Sequence, residues 1–159
     1  MATTVRVGHA VGAGDYFGIR RAASAGYAIM LISQTLSAGL LIFAGSWLAG
    51  LVTGDAAVIA LAATLMMYAA VFQYPDGLQV MSNGALRGLK DTKWPMVITV
   101  AAYWAVGMPL GYYLGILRGQ GAPGLWLGLI FGLLVAAILL TWRFWRLSHH
   151  YQVTDIQNE

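Results

Sequence analysis

The feature that most restricts this chain is a set of four long stretches almost without charge. They run from about Ala25 to Val52, Ala56 to Leu86, Trp94 to Leu117 and Gly124 to Trp142. A bilayer core about 30 Å thick needs about 20 apolar residues in helical form, so each stretch is long enough to cross. Only 9% of the residues are charged, against about 25% in a typical soluble domain. The apolar segments are continuous rather than alternating, which disfavours a β-barrel. The expected architecture is therefore all-α, a polytopic bundle of four transmembrane helices.

Three regions follow from this reading. Residues 1–24 are expected to hold the end of a helix that starts upstream, followed by a loop. Residues 25–142 hold the four spans (25–52, 56–86, 94–117 and 124–142), and 143–159 form a tail whose polar end, "QVTDIQNE", is expected to fray. The opening "MATTVRVGHAVGAGD" lacks the compact apolar core of a signal peptide. With no cysteine, disulfide and thiol chemistry are excluded.

Orientation is read from Lys and Arg. Segments 1–24, 87–93 and 143–159 hold eight of the nine basic residues, and the two opposite loops hold only Arg118. Both ends and the "RGLKDTK" loop are therefore expected in the cytoplasm. Arg87, Lys90 and Lys93 read as determinants of that topology and as contacts for anionic lipid. Trp47, Trp94, Trp126, Trp142 and Trp145 fall near span ends, as an interfacial aromatic belt requires.

Inside the second span lies "FQYPDGLQVMSNGALRG", with Pro75 beside Asp76. Asp76 stands eleven residues before Arg87, which is about 16 Å along a helix and about half a hydrocarbon core. A carboxylate at that depth is costly without a partner, water or a proton, and reads by default as functional. On a helical projection Gln73 and Gln79 lie about 60° to either side of it, Asn83 about 20° away and Tyr68 about 80° away. Pro75 removes the hydrogen bond to the Val71 carbonyl. A freed carbonyl next to a carboxylate suits a small monovalent cation. The competing reading takes "YPDG" as a turn, which would end the helix near Gln73 and leave Asp76 at the surface. Tyr68, Gln73, Gln79 and Asn83 either line a cation site or substrate path or bond neighbouring helices.

Gly107, Gly111 and Gly115 repeat every four residues, as do Gly124, Gly128 and Gly132. Each series clears one helix face for close packing. Pro109 is expected to kink the third span. Gly8, Gly12 and Gly14 loosely suggest a phosphate loop, but no strand precedes them, and they are expected to end a helix near Asp15. His149 and His150 read as interfacial polarity rather than metal ligands. No residue set supports nucleophilic or general acid–base catalysis, so an enzyme is not expected, and no cofactor motif is present.

The stretch from Phe72 to Gly115 and the patterns "D-G-x-Q…G-A-L-R-G-x-K-D-T" and "A-Y-W…G-x-P-x-G-Y" resemble the tenth and eleventh helices of the multidrug and toxic compound extrusion (MATE) family, in its NorM branch. "TVRVGHAVGAGDYFGIRRAA" is similar to the junction of that family's eighth and ninth helices, and "GAPGLWLGLIFGLLVAAILL" to its last. The resemblance implies the last four helices of a twelve-helix fold in two lobes, in the bacterial inner membrane. It implies an antiporter that expels cationic amphiphilic drugs in exchange for sodium ions or protons. It places Asp76 at the family's cation-coupling aspartate and Tyr103 and Trp104 in the "A-Y-W" pattern. The N-terminal lobe and two helices of the same lobe are not in this sequence, so a truncated product, inactive alone, is expected. A flippase of lipid-linked sugars and a non-transporting scaffold or subunit are the alternatives.

Overall fold

The computed structural model describes residues 2–156, with side-chain surroundings for residues 2–149. Six α-helices follow one another: α1 (Ala2–Gly12), α2 (Tyr16–Gly50), α3 (Ala56–Gly88), α4 (Lys93–Ala102), α5 (Met108–Tyr112) and α6 (Ala122–Ile156). π-helical segments Tyr103–Gly107 and Tyr113–Leu117 make α4 and α5 one continuous rod from Lys93 to Leu117. No strand occurs among the described residues. Among the described residues four helical rods are long and apolar enough to cross a membrane, the shortest with 25 residues. At 1.5 Å per residue even that one reaches about 38 Å, beyond the hydrocarbon thickness. The chain is a multi-pass helical membrane protein.

The helix ends explain where the rods begin. Asp15 caps α2, its carboxylate accepting from the Gly18 backbone N–H at 2.8 Å, which satisfies one of the orphan donors of the first turn. Gly14, in the left-handed region at φ 67°, makes the turn between α1 and α2. Asp55 caps α3 in the same way, accepting from Ala57 at 2.8 Å. Lys90 ends α3 at φ 61°, while the Asp91 N–H reaches back to the Leu86 carbonyl.

Two expected boundaries are corrected. Residues 16–24, expected as loop, are the first turns of α2, because the Asp15 cap starts the helix early and Ile19 and Ala23 bury against the neighbouring helices. The segment after Trp142, expected as a tail, continues α6 to Ile156, with Phe144 and Ser148 buried. Of "QVTDIQNE", residues 152–156 belong to that helix and 157–159 lie outside the described residues, as does the side chain of His150.

Packing is serial: α2 lies along α3, α3 along α6, and α6 along the α4–α5 rod, while α1 wedges against α2 and α3. The helix α6 is the hub, with 44% of its apolar window buried against 6% for α3. One cluster, Val7, Ile19, Ala85, Leu86, Leu140 and Phe144 among its members, ties α1, α2, α3 and α6 together at the basic end. Elsewhere, Leu133 and Ile130 of α6 aside, most large apolar side chains point outward: Phe43 is 91% exposed. Such a surface suits lipid, which rewards no burial between helices beyond packing itself.

Candidate cation site

The helix α3 runs unbroken through Pro75. The turn reading of "YPDG" is therefore corrected: Asp76 lies inside a 33-residue helix. A buried proline inside a helix leaves a carbonyl without its donor, and α2 approaches at this level. The Gln34 side-chain amide donates to the Gln73 carbonyl at 2.9 Å, and the Tyr74 hydroxyl donates to Thr35 Oγ1 at 3.3 Å. Gly77 permits the approach, since a Cβ there would stand 2.7 Å from the Met30 sulfur. On another side Phe72 meets Trp126 of α6 edge to face, with ring centroids 5.5 Å apart.

Asp76 is half-buried and makes no hydrogen bond or ion pair among the described residues. One turn onward Gln79 is buried, its side-chain oxygen accepting from the Tyr103 hydroxyl at 3.4 Å. Tyr103 also stands close enough to Asp76 to feel its charge. It opens the first π-helical segment, in which the Met108 N–H bonds to the Tyr103 carbonyl five residues back. Such π-turns concentrate at functional sites. Asp76 thus stands one turn from a Gln79–Tyr103 pair that joins α3 to the π-helical segment after α4.

The other polar residues of the arc lie apart. Gln73 turns its amide back to the Ala70 carbonyl at 3.3 Å. Tyr68 is eight residues from Asp76, about 12 Å along the axis. Asn83 lines a cavity of about 470 Å³ between α1, α3 and α4. A second polar centre has no counterpart in the sequence reading. Ser82, fully buried, sits 2.7 Å from the Tyr27 hydroxyl and 2.8 Å from Thr141 Oγ1, joining α2, α3 and α6. In the sequence each of the three is an isolated hydroxyl, and no spacing rule connects them.

The two glycine series face each other. Gly107 lies against Gly132, Gly111 against Gly128 and Gly115 against Gly124, so the α4–α5 rod and α6 meet backbone to backbone. Pro109 enters at the first turn of α5, where its missing N–H is absorbed by the preceding π-turn. At the basic end Arg143 pairs with Asp91 at 2.6 Å and stacks on Trp94. Arg20 stacks on Trp145 and Arg146 on Trp142. Arg87, Lys90 and Lys93 are exposed at this same end.

Comparison with known proteins agrees with this architecture. The family model MatE matches residues 1–113. A probable multidrug resistance protein NorM of Xanthomonas campestris pv. campestris is 57% identical over 143 residues, covering 90% of this chain and 31% of that protein. Multidrug resistance protein PmpM of Pseudomonas aeruginosa is 44% identical over 155 residues, covering 95% of this chain and 32% of its own length. A solved inward-facing multidrug resistance MATE family transporter of the MOP superfamily superposes with a TM-score of 0.84 at 17% identity, covering 96% of this chain and 35% of that one. That likeness speaks for the fold. The chain spans about a third of the length of the curated relatives it matches. With the family model covering most of its length, the chain belongs to the MatE family.

Proposed function

We propose that this chain supplies the cation-coupling element of a multidrug antiporter in the bacterial inner membrane. Asp76 takes up a sodium ion or a proton and gives it up as the helices change arrangement. The observation that carries this reading is a half-buried carboxylate, in mid-span of an unbroken helix, with no ion pair or hydrogen bond among the described residues. A partnerless charge at that depth is costly, and a bound cation removes the cost. The cation then favours whichever helix arrangement shields Asp76, so its gradient biases the conformational equilibrium through differential affinity. Gln79 and Tyr103 hold the polar side of the site, and Gln73, with its carbonyl taken by Gln34, fixes the helix beside Pro75. Tyr68, about two turns before Asp76 on the same helix, lines the route of the exported compound.

The exported compounds are cationic amphiphiles, which compete with the coupling ion for negative charge. The reaction is transport and not catalysis. Both ends of the chain and the 87–93 loop face the cytoplasm, where the excess of basic residues belongs. The partners are the other helices of the MatE fold, which supply the second body that alternating access needs.

The test is Asp76→Asn in a complete transporter that joins this chain to the remaining helices of the MatE fold, expressed in a host stripped of its own exporters. Drug export driven by an imposed sodium or proton gradient should vanish, while the protein still inserts at normal abundance. Undiminished gradient-driven export would remove Asp76 from the mechanism. Comparing the two gradients in the native protein identifies the coupling ion.

A further inference from the structure

At the basic end a cavity of about 470 Å³ opens between α1, α3 and α4, lined by polar and apolar side chains together. Arg87, Thr92, Thr99, Thr4 and Asn83 bring polar groups to it, and Met96 and Val100, both exposed, bring apolar ones. Val80, at the same wall, is two helical turns from Arg87, about 10 Å deeper along α3.

The charges at this end differ in what they already do. Arg143 is held by Asp91, and Arg20 and Arg146 are spread on tryptophan rings. Arg87 has no ion pair, hydrogen bond or ring contact among the described residues, and no carboxylate lines its cavity. The Thr92 hydroxyl makes no capping bond to α4. The neighbouring groove that holds Arg6 and Arg21 differs, because it also contains Asp15. A guanidinium free to take a bidentate anion therefore stands at one end of a slot whose walls carry Val80, Met96 and Val100 along with Asn83 and Thr99.

We infer that this cavity is a binding site for one anionic phospholipid. The phosphate is held by Arg87 with Thr92 beside it, and an acyl chain lies over Val80, Met96 and Val100. Gly84 keeps the slot narrow and open, since a Cβ there would press on Thr4 Oγ1 at 3.1 Å. The site is independent of the cation reading, and Asp76→Asn leaves it intact.

The experiment is native mass spectrometry of the full chain released from micelles with equal amounts of phosphatidylglycerol and phosphatidylcholine. The native chain should retain the anionic lipid about fivefold over the zwitterionic one, the ratio expected for one well-placed basic residue. Arg87→Gln should abolish the preference, and Val100→Trp, at an exposed position, should lower retention with the arginine in place. Lys90→Gln removes the same charge from the same loop and should change little. Equal retention of the two lipids by the native chain would overturn the proposal whether or not any variant folds. An equal loss with Lys90→Gln would reduce it to general surface attraction, which also overturns it. Displacement of the lipid by millimolar inorganic phosphate would assign the anion site to free phosphate instead.

Discussion

The seam between the α4–α5 rod and α6 is backbone against backbone, whereas α2 meets α3 through polar side chains. In the first, six glycines bring backbone against backbone, with the Leu125 side chain over Gly115 at one end. In the second, Gln34 reaches a carbonyl, Tyr74 reaches Thr35 and Tyr27 reaches Ser82, each through rotatable side chains. Interfaces of the first kind resist sliding, and those of the second can exchange partners as helices shift. Asp76 sits on α3, the helix that has the adjustable contact with α2 on one side and α6 on the other. The division suits a lobe with a fixed wall and a helix that moves against it.

The sharpest way to break the contrast is at the seam. A Cβ on Gly128 would collide with the Cα and N of Gly111, whereas one on Gly111 would meet the Gly128 Cα at an ordinary 3.7 Å. Gly128→Ala should cost about 3 kcal/mol by overpacking against backbone that cannot yield, with Gly111→Ala near neutral. Unfolding by titration with a denaturing detergent measures both, and equal effects would show that the two faces share the strain.

Next in size is the hydroxyl centre. Ser82→Ala leaves the Tyr27 and Thr141 hydroxyls without their common partner and should cost about 1–2 kcal/mol. The same titration checks it, and Tyr27→Phe should cost less in the Ser82→Ala background than alone, because one of its hydroxyl partners is already gone.

The smallest effect belongs to the contact beside the proline. Gln34→Leu removes one interhelical hydrogen bond, for which about 0.6 kcal/mol is the usual loss within a membrane. It should loosen α2 from α3 near Pro75, seen as a broader distance distribution between spin labels at exposed Leu36 and Val71. An unchanged distribution would mean that Met30 and Gly77 alone fix this crossing.

Much of this organisation was legible in the sequence. Four uncharged stretches define four spans because no other structure satisfies so many backbone groups in lipid. The depth of Asp76 follows from its distance to Arg87. Helix extensions at residues 16–24 and beyond Trp142 escaped because they leave the hydrocarbon and lose its hydropathy signal, while the Asp15 cap and the buried Phe144 continue the helix. The π-turns at Tyr103 and Tyr113 are likewise invisible, since composition does not distinguish bonds to the fourth residue from bonds to the fifth. Glycine spacing marked two small-residue faces, yet which of the six tolerates a methyl group depends on sub-ångström approach. The Tyr27–Ser82–Thr141 centre joins residues 55 and 59 positions apart, beyond any local pattern.

The account rests on Asp76 lying within the membrane, where a cation would be exchanged. The chain has no cysteine, so a single Asp76→Cys can be labelled without background in intact membranes. Its reaction with a membrane-impermeant thiol reagent should be far slower than that of Lys90→Cys in the loop. Equal rates, under every ionic condition tried, would place residue 76 in bulk water and contradict the account.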